Sequence, residues 1–450
     1  MMTRRVAAGI AICGIAWWLL GDTVAHYANR SQPDGVIRFA HYGGYRDFER
    51  WQRVIEAFQQ SHAGLRVRQE YIPGYGTQYD HKIRRQLLAG VAPDVFMVQD
   101  ESFPHYADTS LADLTGVIEE RTLQRLRSDF HPTATASFRY DDAPHALPLY
   151  GGNLLIYVNM KCVERAPGPA RQDFDELSRV AVPLADQLRD DWTIDEFRSC
   201  CRQLTCDFDG DGRTDQYGLW HPWWGYYLPF VWSHGAAVLD ESRTEWRLTG
   251  PAARDAMQFY RDLLLADRVC PVPGELGQMR QDIAFLSGRV AMVINGPWFI
   301  PMLEESELRD HYRVLHMPSG PGGRFTRVTW DGIAINRHAD ERQRHDAAEF
   351  VLFATSRKAQ DIFAQGRRVI PARLDAASGL ALATPGSGTE KFMTSFDYLR
   401  VQPITTHWKT MDRAIKRHLR DLLGDRVTSA QFLANLKDDP DISTHFASSP

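Results

Sequence analysis

The alternation of apolar and polar positions becomes regular at Val36. Val36-Ile37-Arg38-Phe39-Ala40 is a β-rich run bounded by Pro33-Asp34-Gly35, and it predicts a first strand. His41-Tyr42-Gly43-Gly44-Tyr45 reads as the loop that follows it. Phe48, Trp51, Ile55 and Phe58 then share one face at helical spacing. Leu65 to Ile72 alternates as a second strand, Tyr79 to Ala89 forms a second helix stopped by Gly90, and Val95-Phe96-Met97-Val98 is a short continuous apolar strand. Strand, helix, strand, helix, strand predicts an α/β fold with parallel pairing through right-handed crossovers. Ligands in such sheets gather outside the carboxyl ends of the strands. That rule singles out Tyr42 and Tyr45 after the first strand and Asp100 after the third.

Further on, Leu147 to Gly152 carries Tyr150 into a strand over Asn153–Asn159. Residues 164–191 are rich in Pro, Gly and charge and read as surface loop. Thr193 and Glu196 have the spacing of a capping box that opens a helix. Trp220 to Trp232 holds seven aromatic side chains in thirteen residues, broken by Pro and Gly and without clean helical or strand periodicity. Flat rings suit pyranoses, so Trp220, Trp223 and Trp224 are candidate stacking platforms, with one or two expected to face a ligand and the others to pack. Val290–Ile294 is a strand; Gly296-Pro297 cannot continue it, so Trp298 should project from its carboxyl end. Trp330 and Asp331 are placed on a turn before a strand. Asp346 to Phe363 reads as a helix ended by Gly366, beside which Arg367 is a further candidate contact, and Met411 to Leu423 as a final helix.

A chain of 450 residues is too long for one core, so two domains are expected. Net charge is -5, which removes the electrostatic case for a nucleic-acid partner. Arg4-Arg5 followed by the apolar run Val6–Leu20 has the layout of a secretory signal, and the run is short for a spanning helix. Residues 1–30 are therefore a signal peptide or an uncleaved membrane anchor, and the body is periplasmic or extracytoplasmic. Six cysteines are too few for a disulfide scaffold. Outside Cys13 they number five, so at least one thiol stays unpaired within a monomer. Asp207, Asp209, Asp211, Arg213 (through its carbonyl) and Asp215 follow the first part of a calcium loop, but position twelve is Gly218 rather than Glu. The segment reads equally as a structural calcium site or as a tight acidic turn; no cofactor is otherwise required. No GxSxG elbow, HExxH or P-loop lysine is present.

Several segments in order resemble the bacterial extracellular solute-binding proteins of ABC importers, the family that contains the maltose-binding protein. They are Gly90-Val91-Ala92-Pro93-Asp94-Val95, Leu111-Ala112-Asp113-Leu114, Tyr157-Val158-Asn159, the acidic loop at Asp207–Gly218, and Gly288-Arg289-Val290-Ala291-Met292 with Asn295-Gly296-Pro297-Trp298. The resemblance covers most of residues 36–375. It implies a type II periplasmic-binding-protein fold: two hinged lobes, a ligand cleft between them, and about three chain crossings. The expected division is residues 36–147 with 283–332 and residues 148–282 with 333–450. It further implies no catalysis, a carbohydrate captured by closure, an ABC permease as partner, and a monomer. Trp298 stands at the family's stacking position. Trp330-Asp331-Gly332 replaces the small turn of many relatives and should make that side narrower and more acidic. Alternatives within the same fold are a polyol, glycerophosphodiester or polyamine ligand, or a sensory module; a glycoside hydrolase with paired carboxylates is the enzymatic rival.

Overall fold

The computed structural model describes residues 35–74, 76–167, 183–378 and 387–448. The signal or anchor read into residues 1–30, part of the charged stretch 164–191 and most of the small-residue loop before Gly388 lie outside the described residues. Among the described residues, no helix is long and apolar enough to cross a membrane.

In chain order the main elements begin with β1 (Val36–Gly43), α1 (Tyr45–Ser61), β2 (Arg66–Pro73), α2 (Thr77–Leu88) and β3 (Val95–Gln99). Next come β4 (Leu147–Asn153), β5 (Leu155–Asn159), β6 (Tyr217–Leu219), α3 (Trp224–Ser233), β7 (Val290–Asn295) and β8 (Tyr312–Leu315). The long strand β9 (Thr326–Ile335) leads to α4 (Glu341–Ala354), α5 (Arg357–Ala364), β10 (Ile370–Pro371), β11 (Leu399–Val401) and α6 (Trp408–Leu423).

These elements form two compact units. One holds the described residues up to Leu149 with Asp331–Ile362; the other holds Tyr150–Trp330 with those from Phe363 onward. The chain thus passes from one to the other three times. This division differs from the one expected from the sequence, which put 283–332 in the first lobe and 333–450 in the second. Strand pairing is the reason. β7 pairs antiparallel with β5 and parallel with β6, which keeps it in the second unit. Asp331–Ile335 pairs with Val95–Gln99, which ties that half of β9 to the first unit.

In the first unit, β1 runs parallel to β2 from Val36↔Arg66 to Gly43↔Pro73 and parallel to β3 at Phe39↔Val95. The rhythm seen in the sequence is therefore a parallel sheet. The continuous apolar run of β3 is what a strand covered on both faces requires, and Val95 to Val98 are all buried. Helix α1 buries Trp51, Val54, Ile55 and Phe58, one stripe of an amphipathic helix. Phe39 meets the Trp51 ring at 4.5 Å and Phe350 of α4 at 5.1 Å, and Phe58 meets Phe350 at 5.2 Å. The single helix expected over 346–363 is instead two. α4 starts earlier, at a capping box between Asp340 and Gln343, and ends before α5 begins at Arg357.

In the second unit a four-stranded sheet runs β8-β5-β7-β6. Every residue of β5 is buried. The aromatic run that lacked periodicity in the sequence is largely helical: α3 buries Trp224, Tyr227, Leu228, Phe230, Val231 and Trp232. A helix apolar all round belongs in a core, which explains why no single face stood out. Pro229 sits inside α3. Five cysteines, Cys162, Cys200, Cys201, Cys206 and Cys270, are buried free thiols, and burial pushes Cys162 and Cys200 up to about 11.

A desolvated histidine in each unit, the buried His41 and the half-buried His221, makes stability pH-dependent. His41, fully buried in β1, stacks on Phe39 and lies 5.8 Å from Trp51; burial lowers its pKa to about 4. His221, whose ring lies 4.5 Å from Tyr260, is lowered to about 4 by the same cause. Unfolding lets each take up a proton near the ordinary 6.5, so stability is full above about pH 6.5 and is lost as pH falls toward 4. Urea unfolding at pH 7 and pH 5 should differ by about 2 kcal/mol per histidine. His41→Gln should flatten the profile of the first unit; an unchanged slope would mean that the ring is not held neutral.

Candidate functional site

In the first unit, the candidate residues converge on the carboxyl end of the parallel strands. The loop expected from His41 is not one: pairing with β2 as far as Pro73 carries β1 through Tyr42 to Gly43. Gly43 has φ 137, and a Cβ there would fall 2.5 Å from the Asp47 carboxylate, so only glycine makes this turn into α1. Asp47 accepts from the Gly44 backbone N–H at 2.7 Å and closes the helix start. Tyr42 is buried, packs edge-on to Tyr79 at 4.8 Å, and donates its hydroxyl to Asp331. Asp331 stands opposite Gln99 in the β9–β3 ladder, one residue short of Asp100. Two carboxylates from distant parts of the sequence, Asp100 and Asp331, therefore share one end of the sheet with Tyr42. Asp331 is half-buried, and Asp100 is fully buried with its Oδ1 accepting from the Glu101 amide at 2.8 Å. Tyr45 is 70% exposed at the start of α1. Tyr79 was not foreseen; it donates to the Met97 carbonyl at 2.9 Å, and burial pushes its hydroxyl well above the usual range.

In the second unit, Trp298 follows the end of β7 as the Gly-Pro pair implied, in a short 3₁₀ turn over Pro297–Phe299. Its half-buried indole lies across two glycines. A Cβ on Gly296 would fall 2.4 Å from the ring, and one on Gly152 would fall 2.8 Å from it. The glycines let a flat ring lie against backbone with part of its surface open. Tyr150 is buried, edge-on to Phe363 at 5.0 Å. Trp220 is half-buried and Trp223 is 45% exposed. Trp224 and Trp330 are corrections: both are fully buried, and neither offers a ring face. Trp224 is the first residue of the buried helix α3, and Trp330 lies within β9 rather than on a turn, its ring where a Gly151 Cβ would fall 2.4 Å away. The narrowing expected from Trp330-Asp331-Gly332 accordingly reduces to Asp331. Arg367 is exposed and takes φ 51, serving as the left-handed residue after α5 in place of Gly366. Arg327 and Lys416 were not foreseen; their charges lie 5.7 and 5.6 Å from the Trp223 ring centre.

The sequence model of bacterial extracellular solute-binding proteins matches residues 42–361. The chain belongs to the bacterial extracellular solute-binding protein family. A Brucella abortus protein named as a binding protein is 21% identical over 337 residues, 73% of each chain. An ABC substrate-binding protein of Listeria monocytogenes, solved with cycloalternan, superposes with a TM-score of 0.76 at 19% identity, covering 91% of this chain and 99% of its own. MalE3 of T. maritima with maltose bound superposes at 0.71 with 21% identity, covering 89% and 97%. These likenesses establish the α/β periplasmic-binding-protein fold. As a member of the solute-binding protein family, the chain falls in a class of binding proteins that work with ABC permeases rather than of enzymes.

The acidic loop of this solute-binding protein can be tested against calcium by its donor set. Oxygens of Asp207, Asp209 and Asp215 lie within 4.8 Å of one another. Asp207 already accepts the amides of Gly210 and Gly212 at 2.8 Å each, and these hold its carboxyl below the usual range. Asp211 turns to the Arg213 amide, and the Arg289 guanidinium stands 3.7 Å from Asp215. At position twelve, a Cβ on Gly218 would fall 1.9 Å from the Cys201 carbonyl oxygen, so no bidentate Glu can stand there. This donor set fits a self-capped turn better than a calcium loop. Melting midpoints with calcium and with chelator should coincide, while Asp207→Ala, which strips two amides of their acceptor, should lower the midpoint. A calcium-dependent rise would restore the metal reading.

Proposed function

We propose that this chain is the exported capture component of an ABC importer for a carbohydrate. It binds as a monomer, by closure of its two units around the ligand, and performs no chemistry on it. The observation that carries the reading is Trp298. A half-open indole is laid on Gly152 and Gly296 at the carboxyl end of a buried strand, the placement and shape that pyranose stacking requires. The first unit would supply the polar half of recognition. Asp331 accepts ligand hydroxyls, Tyr42 orients it, Asp100 adds negative charge behind them, and Tyr45 adds an exposed ring. The second unit would add Trp220, Trp223 and Tyr150, with Arg367 at the rim. That the Listeria relative was solved with cycloalternan and the T. maritima protein with maltose favours a saccharide over a polyol or polyamine. Residues 1–30 would direct export, as a cleaved signal or a retained tether.

The reading is tested by melting the protein against panels of saccharides, polyols and polyamines. A ligand at a hundred times its Kd should stabilise by about 2.7 kcal/mol through mass action. Trp298→Ala should weaken the saccharide about tenfold or more while the unliganded midpoint moves little, since stacking contributes on the order of 1–1.5 kcal/mol. A polyamine hit with silence toward every saccharide would overturn the ligand class and leave the fold intact.

A further inference from the structure

Two histidines far apart in the sequence meet on the surface of the second unit. His407 is the residue before α6. His445 lies beyond that helix, after a further helix over Ser429–Asp438 and a short turn over Pro440–Ser443. Their rings face each other with centres 3.9 Å apart and planes 10° from parallel. Both residues are exposed, and among the described residues neither ring makes a hydrogen bond or an ion pair. The backbone under each ring is fixed. The His407 amide donates to Thr405 Oγ1 at 3.2 Å, and Trp408 beside it is buried. His445 stands between the buried Ile442 and Phe446, with its amide donating to the Ile442 carbonyl at 3.0 Å. Ala447 and Ser448 then pair with Glu245 and Trp246. His418, within α6, shows the contrast of an engaged ring: its Nε2 lies 2.7 Å from Asp439, which also accepts from Arg417 at 2.6 Å.

Unengaged imidazoles on a fixed backbone are what a metal ion needs, since neither ring has to give up a partner to bind one. The ligating form is the neutral ring. Partial desolvation, and then the nearness of His445, hold His407 below its usual pKa, which keeps its lone pair available at neutral pH. Zinc–nitrogen bonds are about 2.0–2.1 Å long, so an ion shared by two imidazoles spans a nitrogen separation of about 4 Å at most. Ring centres 3.9 Å apart already meet that limit. In the stacked pose the two sets of lone pairs run side by side; a turn of each exposed ring about its own axis makes one pair converge. We propose that His407 and His445 form a site for a divalent late transition ion (zinc, nickel or copper) that clasps residues 440–448 to the start of α6. Imidazole suits these ions, whereas calcium and magnesium require oxygen donors. Water completes the coordination on the open side.

Titration calorimetry of the tag-free protein with zinc chloride and with nickel chloride at pH 7.5 tests the site. One ion should bind per chain. His407→Ala and His445→Ala should each weaken that event about tenfold or more, because the loss of even an outer partner of a metal ligand costs that much. Magnesium chloride should give no such event. The chain has sixteen histidines, so only binding that is lost in both variants counts. Both side chains are exposed, and the metal-free melting midpoint should move little in either variant. Digestion by a serine carboxypeptidase reads the clasp itself: zinc should slow release of the residues after His445 in the unmodified protein and in neither variant. The absence of saturable binding, or binding that survives in either variant, overturns the site and leaves the two rings merely stacked. Equal digestion with and without zinc overturns the clasp. The carbohydrate reading stands apart from every one of these results.

Discussion

The first unit depends on one antiparallel ladder, Asp331–Ile335 against Val95–Gln99. A side-chain period of two makes register unforgiving: a slip of one residue would turn Asp331 to the other face. With the register as it stands, a residue far along the chain arrives beside the end of β3, within reach of the Tyr42 hydroxyl. The pairing also brings α4 back over α1, where Phe350 closes the aromatic core around Phe39 and Phe58. Core and candidate site are thus fixed by the same few hydrogen-bonded residues.

The second unit solves a different problem, that of keeping some aromatic rings open while burying many others. Helix α3 can be apolar on every side because it is enclosed, and Trp224 and Trp232 are spent on that core. Trp298 and Trp223 stay partly open because glycine lies under each ring, at positions 152 and 296 for one and 225 for the other. Removing a side chain beneath a ring leaves backbone as the floor, which is stiff and flat. Ring faces that must stay open are supported from below by residues that contribute almost nothing else.

Much of this was legible in the sequence, and the failures have physical causes. The β-α-β-α-β opening was readable because covered parallel strands are continuous in apolar residues and α1 has a clean stripe. Trp298 was placed by local chemistry alone, since Gly-Pro ends a strand wherever it occurs. Tyr42 was misassigned to a loop because nothing local marks where a parallel partner stops; β2 runs to Pro73 and carries β1 with it. Trp330 was misassigned for the same reason, as its strand is extended by partners distant in the chain. The division into units failed at the crossings that only strand pairing defines. Arg327 and Lys416 gave no signal, because a cation near a tryptophan in space is ordinary surface charge in sequence.

The buried cysteines have a practical consequence. All five described thiols fall between residues 162 and 270, inside the second unit, and the described part of the first unit contains none. With burial holding them protonated, they are chemically silent while that unit is intact. A thiol-reactive reagent therefore acts as a clock for a single part of the molecule. In the protein without residues 1–30, and so without Cys13, its rate of incorporation counts the openings of the second unit and is blind to those of the first, with no label needing to be engineered.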